Sequence, residues 1–196
     1  MRRLAVLLLA VLLCAGCGSG KKHAAGPTGP PPSKYRGFVI KPPEPAPSFS
    51  LHDQNGKLAG AQDARGHWLL VAFLYTHCPD VCPLIANSMS RAMVKLPGLE
   101  AMAVSVDPKG DTPAAVRAFI KAHRFPARFQ YLTGTQAQLL PVWLEFHVAA
   151  VPDGKGSVTV SHSSFELLID PTGRERLLYD ATITAADVEH DLPLLG

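Results

Sequence analysis

The stretch Trp68-Leu69-Leu70-Val71-Ala72-Phe73-Leu74-Tyr75-Thr76-His77-Cys78-Pro79-Asp80-Val81-Cys82-Pro83 decides the fold. From Trp68 to Tyr75 it is an unbroken apolar run, the composition of a central strand buried on both faces. From Pro79 to Leu96 the period changes. Val81, Ile85, Met89, Met93 and Leu96 recur on one side of a helix, and Pro97-Gly98 stops it. A buried strand that feeds an amphipathic helix is the first half of a βαβ unit. Cys78 and Cys82 lie where the strand ends and the helix begins.

The alternation continues downstream. Ala101 to Val106 reads as a second buried strand, and Thr112-Pro113 opens a helix reaching about His123. Phe129 to Leu132 is a short strand and Thr135 to about Phe146 a third helix. Phe165 to Asp170 and Glu175 to Tyr179 flank the turn Pro171-Thr172-Gly173 as a hairpin, and Thr184 to Leu194 closes the chain as a helix. Upstream, Phe49 to His52 and Lys57 to Ala59 flank Asn55-Gly56 as an entry hairpin. This order predicts an α/β domain with a central mixed sheet flanked by helices, running from about Ser48 to Gly196.

Residues 1–47 have another character. Arg2 and Arg3 precede an apolar run from Leu4 to Leu13, followed by Cys14-Ala15-Gly16-Cys17, the pattern of an export signal. The 14 residues from Leu4 to Cys17 would make a helix of only ~21 Å, short of a ~30 Å hydrocarbon core. Small residues before Cys17 resemble a bacterial lipobox, with Cys14 standing where Leu is usual. Residues 1–16 are thus expected to be a lipoprotein-type signal peptide, and Cys17 the acylated residue. Eight of the 18 prolines fall between Pro27 and Pro47, so residues 17–47 read as a flexible Pro/Gly-rich tether, lipid-anchored to the membrane. Tyr35, Phe38, Val39 and Ile40 interrupt it as a candidate strand joining the body.

Composition excludes several classes. Hydrophobic residues make up 47% of the 196 and charged residues 18%, which allows a full core and rules out a disordered chain. The formal charge of +3 falls to +1 without residues 1–16, against nucleic-acid binding. Four cysteines are too few for a disulfide scaffold.

With Cys14 removed and Cys17 capped, only Cys78 and Cys82 remain as thiols. Their spacing of four puts both on one helix face, roughly 5–6 Å apart at Cβ, beside the positive end of the helix dipole. Such a pair forms a disulfide or binds a soft metal. A structural zinc site would need a second cysteine pair, which the chain lacks. Copper(I) would be incompletely satisfied by two sulfurs, and a neutral imidazole would complete a trigonal site and hold copper(II) as well. His162, in Ser161-His162-Ser163-Ser164 just before the strand from Phe165, is the candidate. Periodicity alone does not bring it to Cys78.

The run Tyr75 to Pro83 resembles the signature of the Sco/SenC family of copper chaperones. Val104-Ser105-Val106-Asp107-Pro108-Lys109-Gly110-Asp111-Thr112-Pro113 resembles its second motif. Val160-Ser161-His162-Ser163-Ser164 with Leu168-Ile169-Asp170-Pro171-Thr172-Gly173 resembles its third, and Leu132-Thr133-Gly134 a shorter element. The resemblance implies a thioredoxin-like fold, anchored outside the cytoplasmic membrane and facing the periplasm or extracytoplasmic space. It implies copper ligation, as Cu(I), Cu(II) or both, by Cys78, Cys82 and His162. It further implies delivery to the copper-receiving subunit of cytochrome c oxidase, at its binuclear centre, with another periplasmic protein as copper donor. Ser161 stands where an acidic residue is common in the family.

Asp107 and Asp111 lie four apart. Asp111 reads as a turn residue capping the next helix. Asp107, by the resemblance, lies beside the cysteine loop, where it tunes the site without ligating. His77 is a weaker alternative donor, since neighbours in an extended segment point apart. Three functions remain open: non-enzymatic copper delivery, thiol–disulfide reduction of a partner by Cys78 and Cys82, and peroxide handling or redox sensing. Three residues between the cysteines, where a thioredoxin pair has two, favour metal over turnover. The absence of arginine between Tyr75 and Ser90 argues against a peroxide-reactive cysteine.

Overall fold

The run from Trp68 becomes the middle of a six-stranded sheet. The elements follow in chain order as β1 (Phe38–Val39), β2 (Leu51–His52), β3 (Leu58–Ala59), a 3₁₀ turn (Ala61–Ala64), β4 (Trp68–Leu74), α1 (Val81–Lys95) and β5 (Leu99–Ser105). Then come α2 (Pro113–Ala122), β6 (Gln130–Leu132), α3 (Gln136–Glu145), β7 (Val151–Pro152), β8 (Val158–Thr159), β9 (Phe165–Ile169), β10 (Glu175–Asp180) and α4 (Ala185–Leu195). The computed structural model describes residues 33–149, 151–152, 158–159 and 164–196. The signal segment, Cys17 and His162 lie outside them.

The sheet runs β1-β10-β9-β4-β5-β6. β4, β5 and β6 are parallel, whereas β9 pairs antiparallel with β4, with Ala72 opposite Glu166. The expected mixed sheet is therefore present, as is the entry hairpin, β2 with β3. The β7–β8 pair was not anticipated.

β4 shows why its sequence is apolar throughout. Leu70, Ala72 and Leu74 point into a core with Ile85, Met89 and Met93 of α1, Phe119 of α2 and Val188 of α4. Leu69, Val71 and Phe73 point the other way, onto Leu51 of β2 and Leu139, Trp143 and Phe146 in and just after α3. Alternate residues thus feed separate cores, so neither face tolerates a polar residue.

The amino-terminal boundary differs from the expectation. The compact unit begins at Ser33, not near Ser48. β1 adds to the sheet edge, with Phe38 opposite Leu178 and Val39 opposite Leu177. The Asp191 carboxylate of α4 accepts the Arg36 and Gly37 N–H groups at 2.9 Å. Ala46 N–H donates to Gly173 and Glu175 N–H to the Glu44 carbonyl. Composition drew the tether up to Pro47, but residues 33–47 form a strap across the hairpin. The unpaired backbone groups along β10 provide the reason: an edge strand gains stability when a neighbour satisfies them.

Candidate metal centre

The cysteine loop leaves the carboxyl end of β4 and turns into α1. The helix starts at Val81, two residues later than the expected Pro79, with Asp80 as its N-cap. Asp80 makes no side-chain capping bond. Instead, Cys82 N–H donates to Cys78 Sγ at 3.4 Å. A sulfur thus satisfies one of the amide donors that helix starts leave open. Pro83 in the first turn loses no hydrogen bond, because its position has no partner there.

Both thiols are free and buried, Cys78 at 8% exposure and Cys82 at 0%. Their environments drive them apart. Burial alone would raise the Cys78 pKa. Hydrogen bonds from the Cys82 thiol, the Asp80 and Cys82 backbone and the Tyr75 hydroxyl outweigh it, and the Cys78 thiol is held below its ordinary value. Burial pushes Cys82 up, and so do the hydrogen bond it gives to Cys78 and the negative charges of Cys78 and Asp111. Cys78 is therefore the readier of the two to ionise, and Cys82 the one that keeps its proton. Tyr75 is pushed up to about 12 by burial, its bond to Cys78 and the charges of Cys78, Cys82 and Asp107, so it remains a donor to sulfur.

Asp111 corrects a sequence reading. The cap of α2 is Thr112, whose hydroxyl accepts from Ala115 N–H. Asp111 is buried behind the cysteine loop, where it accepts from the Thr76 N–H at 2.7 Å, the Ser105 hydroxyl at 2.6 Å and the Tyr131 hydroxyl at 2.8 Å. Burial raises its pKa, against the pull of those donors. Asp107 closes its own turn, accepting from Lys109 and Gly110 N–H, and reaches the loop only through its charge on Tyr75. A Cβ on Gly110 would collide with the Asp107 carboxylate, which accounts for glycine there.

His77 is exposed, with Nδ1 paired to the Thr76 hydroxyl at 3.0 Å. Among the described residues no third His, Cys, Asp or Glu joins the sulfurs in a three-ligand cluster. Tyr75, Tyr131 and Ser105 carried no functional signal in the sequence. Tyr75 and Ser105 stand inside family-like motifs without a role of their own, and Ser105 and Tyr131 meet Asp111 only through strand pairing.

Two cysteines of unequal acidity at the mouth of a mixed sheet, on a loop running into a helix, define a thioredoxin-like thiol protein. Comparison with known proteins is more specific. The family model described as SCO1/SenC matches residues 40–193, and the chain belongs to that family. The SCO2-like protein of Rickettsia typhi is 32% identical over 149 residues, covering 72% of each chain. The structure of Bradyrhizobium japonicum ScoI with copper bound is 33% identical, with TM-score 0.63, covering 76% of this chain and 98% of that one. BsSco, which has a disulfide switch and belongs to the Sco family of cytochrome c oxidase assembly proteins, is 25% identical. Its TM-score is 0.65, with 80% of this chain and 96% of that one covered.

Proposed function

We propose that this chain is an extracytoplasmic copper-delivery protein whose cargo is held by Cys78, Cys82 and His162. In this reading the ion passes to the copper-receiving subunit of cytochrome c oxidase, at its binuclear copper centre, after loading by another periplasmic protein. Residues 1–16 are removed, and Cys17 carries the lipid that holds the chain at the membrane. No helix of the described residues is long and apolar enough to span a bilayer.

The observation that carries the proposal is the sulfur pair. Two soft donors joined through the Cys82 N–H, one of them with its pKa held down by N–H groups, suit a soft monovalent ion. The copper-bound Bradyrhizobium relative supports that cargo. The topology supports His162 as third donor. β9 runs antiparallel to β4, so Phe165 lies at the end of the sheet from which the cysteine loop leaves, and His162 is three residues earlier in the chain. Three residues reach at most ~11 Å.

The test is titration of the reduced protein with copper, recording stoichiometry and sulfur-to-metal charge transfer. One ion per chain is expected, and no uptake by reduced protein would refute the proposal.

A second reading, reduction of a partner's disulfide, is favoured by the unequal thiols. The Cys78 thiolate would attack the disulfide and Cys82 would resolve the mixed species. The partner would leave with two thiols and this chain with a Cys78–Cys82 disulfide. Rapid turnover of a model disulfide without metal would establish it.

A further inference from the structure

Asp111 is a carboxylate with 5% exposure and no cationic partner among the described residues. Among the described residues the ion pairs are Arg176–Asp170 and His190–Asp191. An unpaired buried carboxylate costs several kcal/mol unless hydrogen bonds compensate it. Here the compensating donors come from three separate strands. Oδ2 takes the hydroxyls of Ser105, at the end of β5, and Tyr131, in β6. Oδ1 takes the Thr76 N–H, just beyond β4.

The Thr76 nitrogen and the Tyr75 carbonyl belong to one peptide plane, which is rigid. That carbonyl accepts the Cys78 N–H at 3.3 Å. Holding the N–H side therefore aims the carbonyl side. A continuous chain of contacts runs from Asp111 through the Tyr75–Thr76 peptide to the Cys78 backbone, and from Cys78 Sγ to the Cys82 N–H. The Asp111 backbone is itself fixed, its N–H donating to the Asp107 carbonyl at 2.9 Å.

We propose that Asp111 is a positioning residue for the cysteine pair: by gripping the Tyr75–Thr76 peptide from the β5–α2 turn, it presets Cys78 against Cys82 before any metal arrives. This rests on the copper reading for its purpose, but the geometry it predicts is independent of metal. The two oxygens divide the work. One anchors to the sheet through two hydroxyls, and the other sets the loop. Asn keeps an acceptor for Thr76 N–H, and the hydroxyls can turn to accept its amide, since each is both donor and acceptor. Ala keeps neither.

The experiment compares Asp111→Ala, Asp111→Asn and a remote core lesion, Leu69→Ala, at the opposite end of β4. Two readouts are used: the equilibrium constant of the Cys78–Cys82 disulfide against glutathione, and copper(I) affinity by chelator competition. In folded Asp111→Ala both are expected to fall about tenfold, the range seen when residues supporting metal ligands are removed. Asp111→Asn should restore both to within about threefold. Leu69→Ala should lower the melting temperature and leave both readouts in place. Wild-type values in folded Asp111→Ala would overturn the proposal, as would an equal loss in Leu69→Ala. If Asp111→Ala does not fold, hydrogen exchange in the wild-type protein decides. Strong protection of the Thr76 amide supports the grip, and exchange at the unstructured rate overturns it. A wild-type protein that takes up no copper refutes the delivery reading alone, because the glutathione equilibrium and the exchange rate still judge Asp111.

Discussion

The Cys82 N–H donates to Cys78 Sγ, so the sulfur of one cysteine caps the helix that carries the other. This couples metal chemistry to secondary structure. A sulfur that accepts an N–H bond is stabilised as thiolate, and the first turn of α1 is held by the group that would receive the ion in the proposed site.

Cys78→Ser and Cys82→Ser should each abolish tight copper binding in the proposed site. Oxygen is a hard donor, and one remaining sulfur leaves a soft ion undercoordinated. Competition against a copper(I) chelator measures this, and retained affinity in either variant would remove that sulfur from the ligand set. His162→Ala should weaken copper(II) more than copper(I), because imidazole suits both states and the sulfurs favour the lower one.

Tyr75→Phe should raise the Cys78 pKa, because the sulfur loses a hydrogen bond that favours its charged form. Iodoacetamide reacts with the thiolate alone, so the rate profile should move to higher pH. An unmoved profile would show that the phenol has no hold on the sulfur.

Copper uptake should weaken on acidification. Cys82 is held protonated by burial and by its neighbours' charge, so binding must expel that proton. The measurement is proton release on metal addition in weak buffer, together with affinity between about pH 5 and 8. Affinity independent of pH would contradict the ligand set.

Glu166 predicts a stability slope. Its two carboxylate oxygens are buried without partners among the described residues, and burial with the nearby Asp180 charge pushes its pKa up to about 9, from 4.5. The folded state therefore holds a proton that the unfolded chain releases. The associated stability is complete below the unfolded value and is lost as pH rises through the folded one. Glu166→Gln should flatten the fall in urea midpoint between pH 5 and 9, and parallel slopes for the two proteins would refute this.

A chain beginning at Ser48 should be less stable by about 2–3 kcal/mol, chiefly because Asp191 loses the Arg36 and Gly37 donors and β10 loses its β1 neighbour. Urea unfolding tests it. An unchanged midpoint would mean the strap adds nothing.

The fold was legible wherever a long segment repeated one period. The apolar run of β4 and the helical spacing of α1 located the sheet and the site together, and Cys78 with Cys82 marked the chemistry. The strap was less legible, because Phe38 and Val39 are only two residues of strand amid prolines. What orders them is the edge of β10, far away in sequence. Asp111 was misread for a related reason. Its position before Thr112-Pro113 suits a helix cap, but its partners arrive from β4, β5 and β6, and no local pattern encodes such a meeting. His162 lies outside the described residues, and its proposed place at the sulfurs rests on the antiparallel pairing of β9 with β4 and on chain length.

The strap has a mechanical corollary. A pull on residues preceding Ser33 would first load the Asp191 bonds and then the pairing of β1 with β10. β9 still separates that edge from β4. If the proposed lipid anchor is present, tugging from it would thus reach the rim of the sheet first, leaving the sulfurs' spacing insensitive to how the molecule is moored.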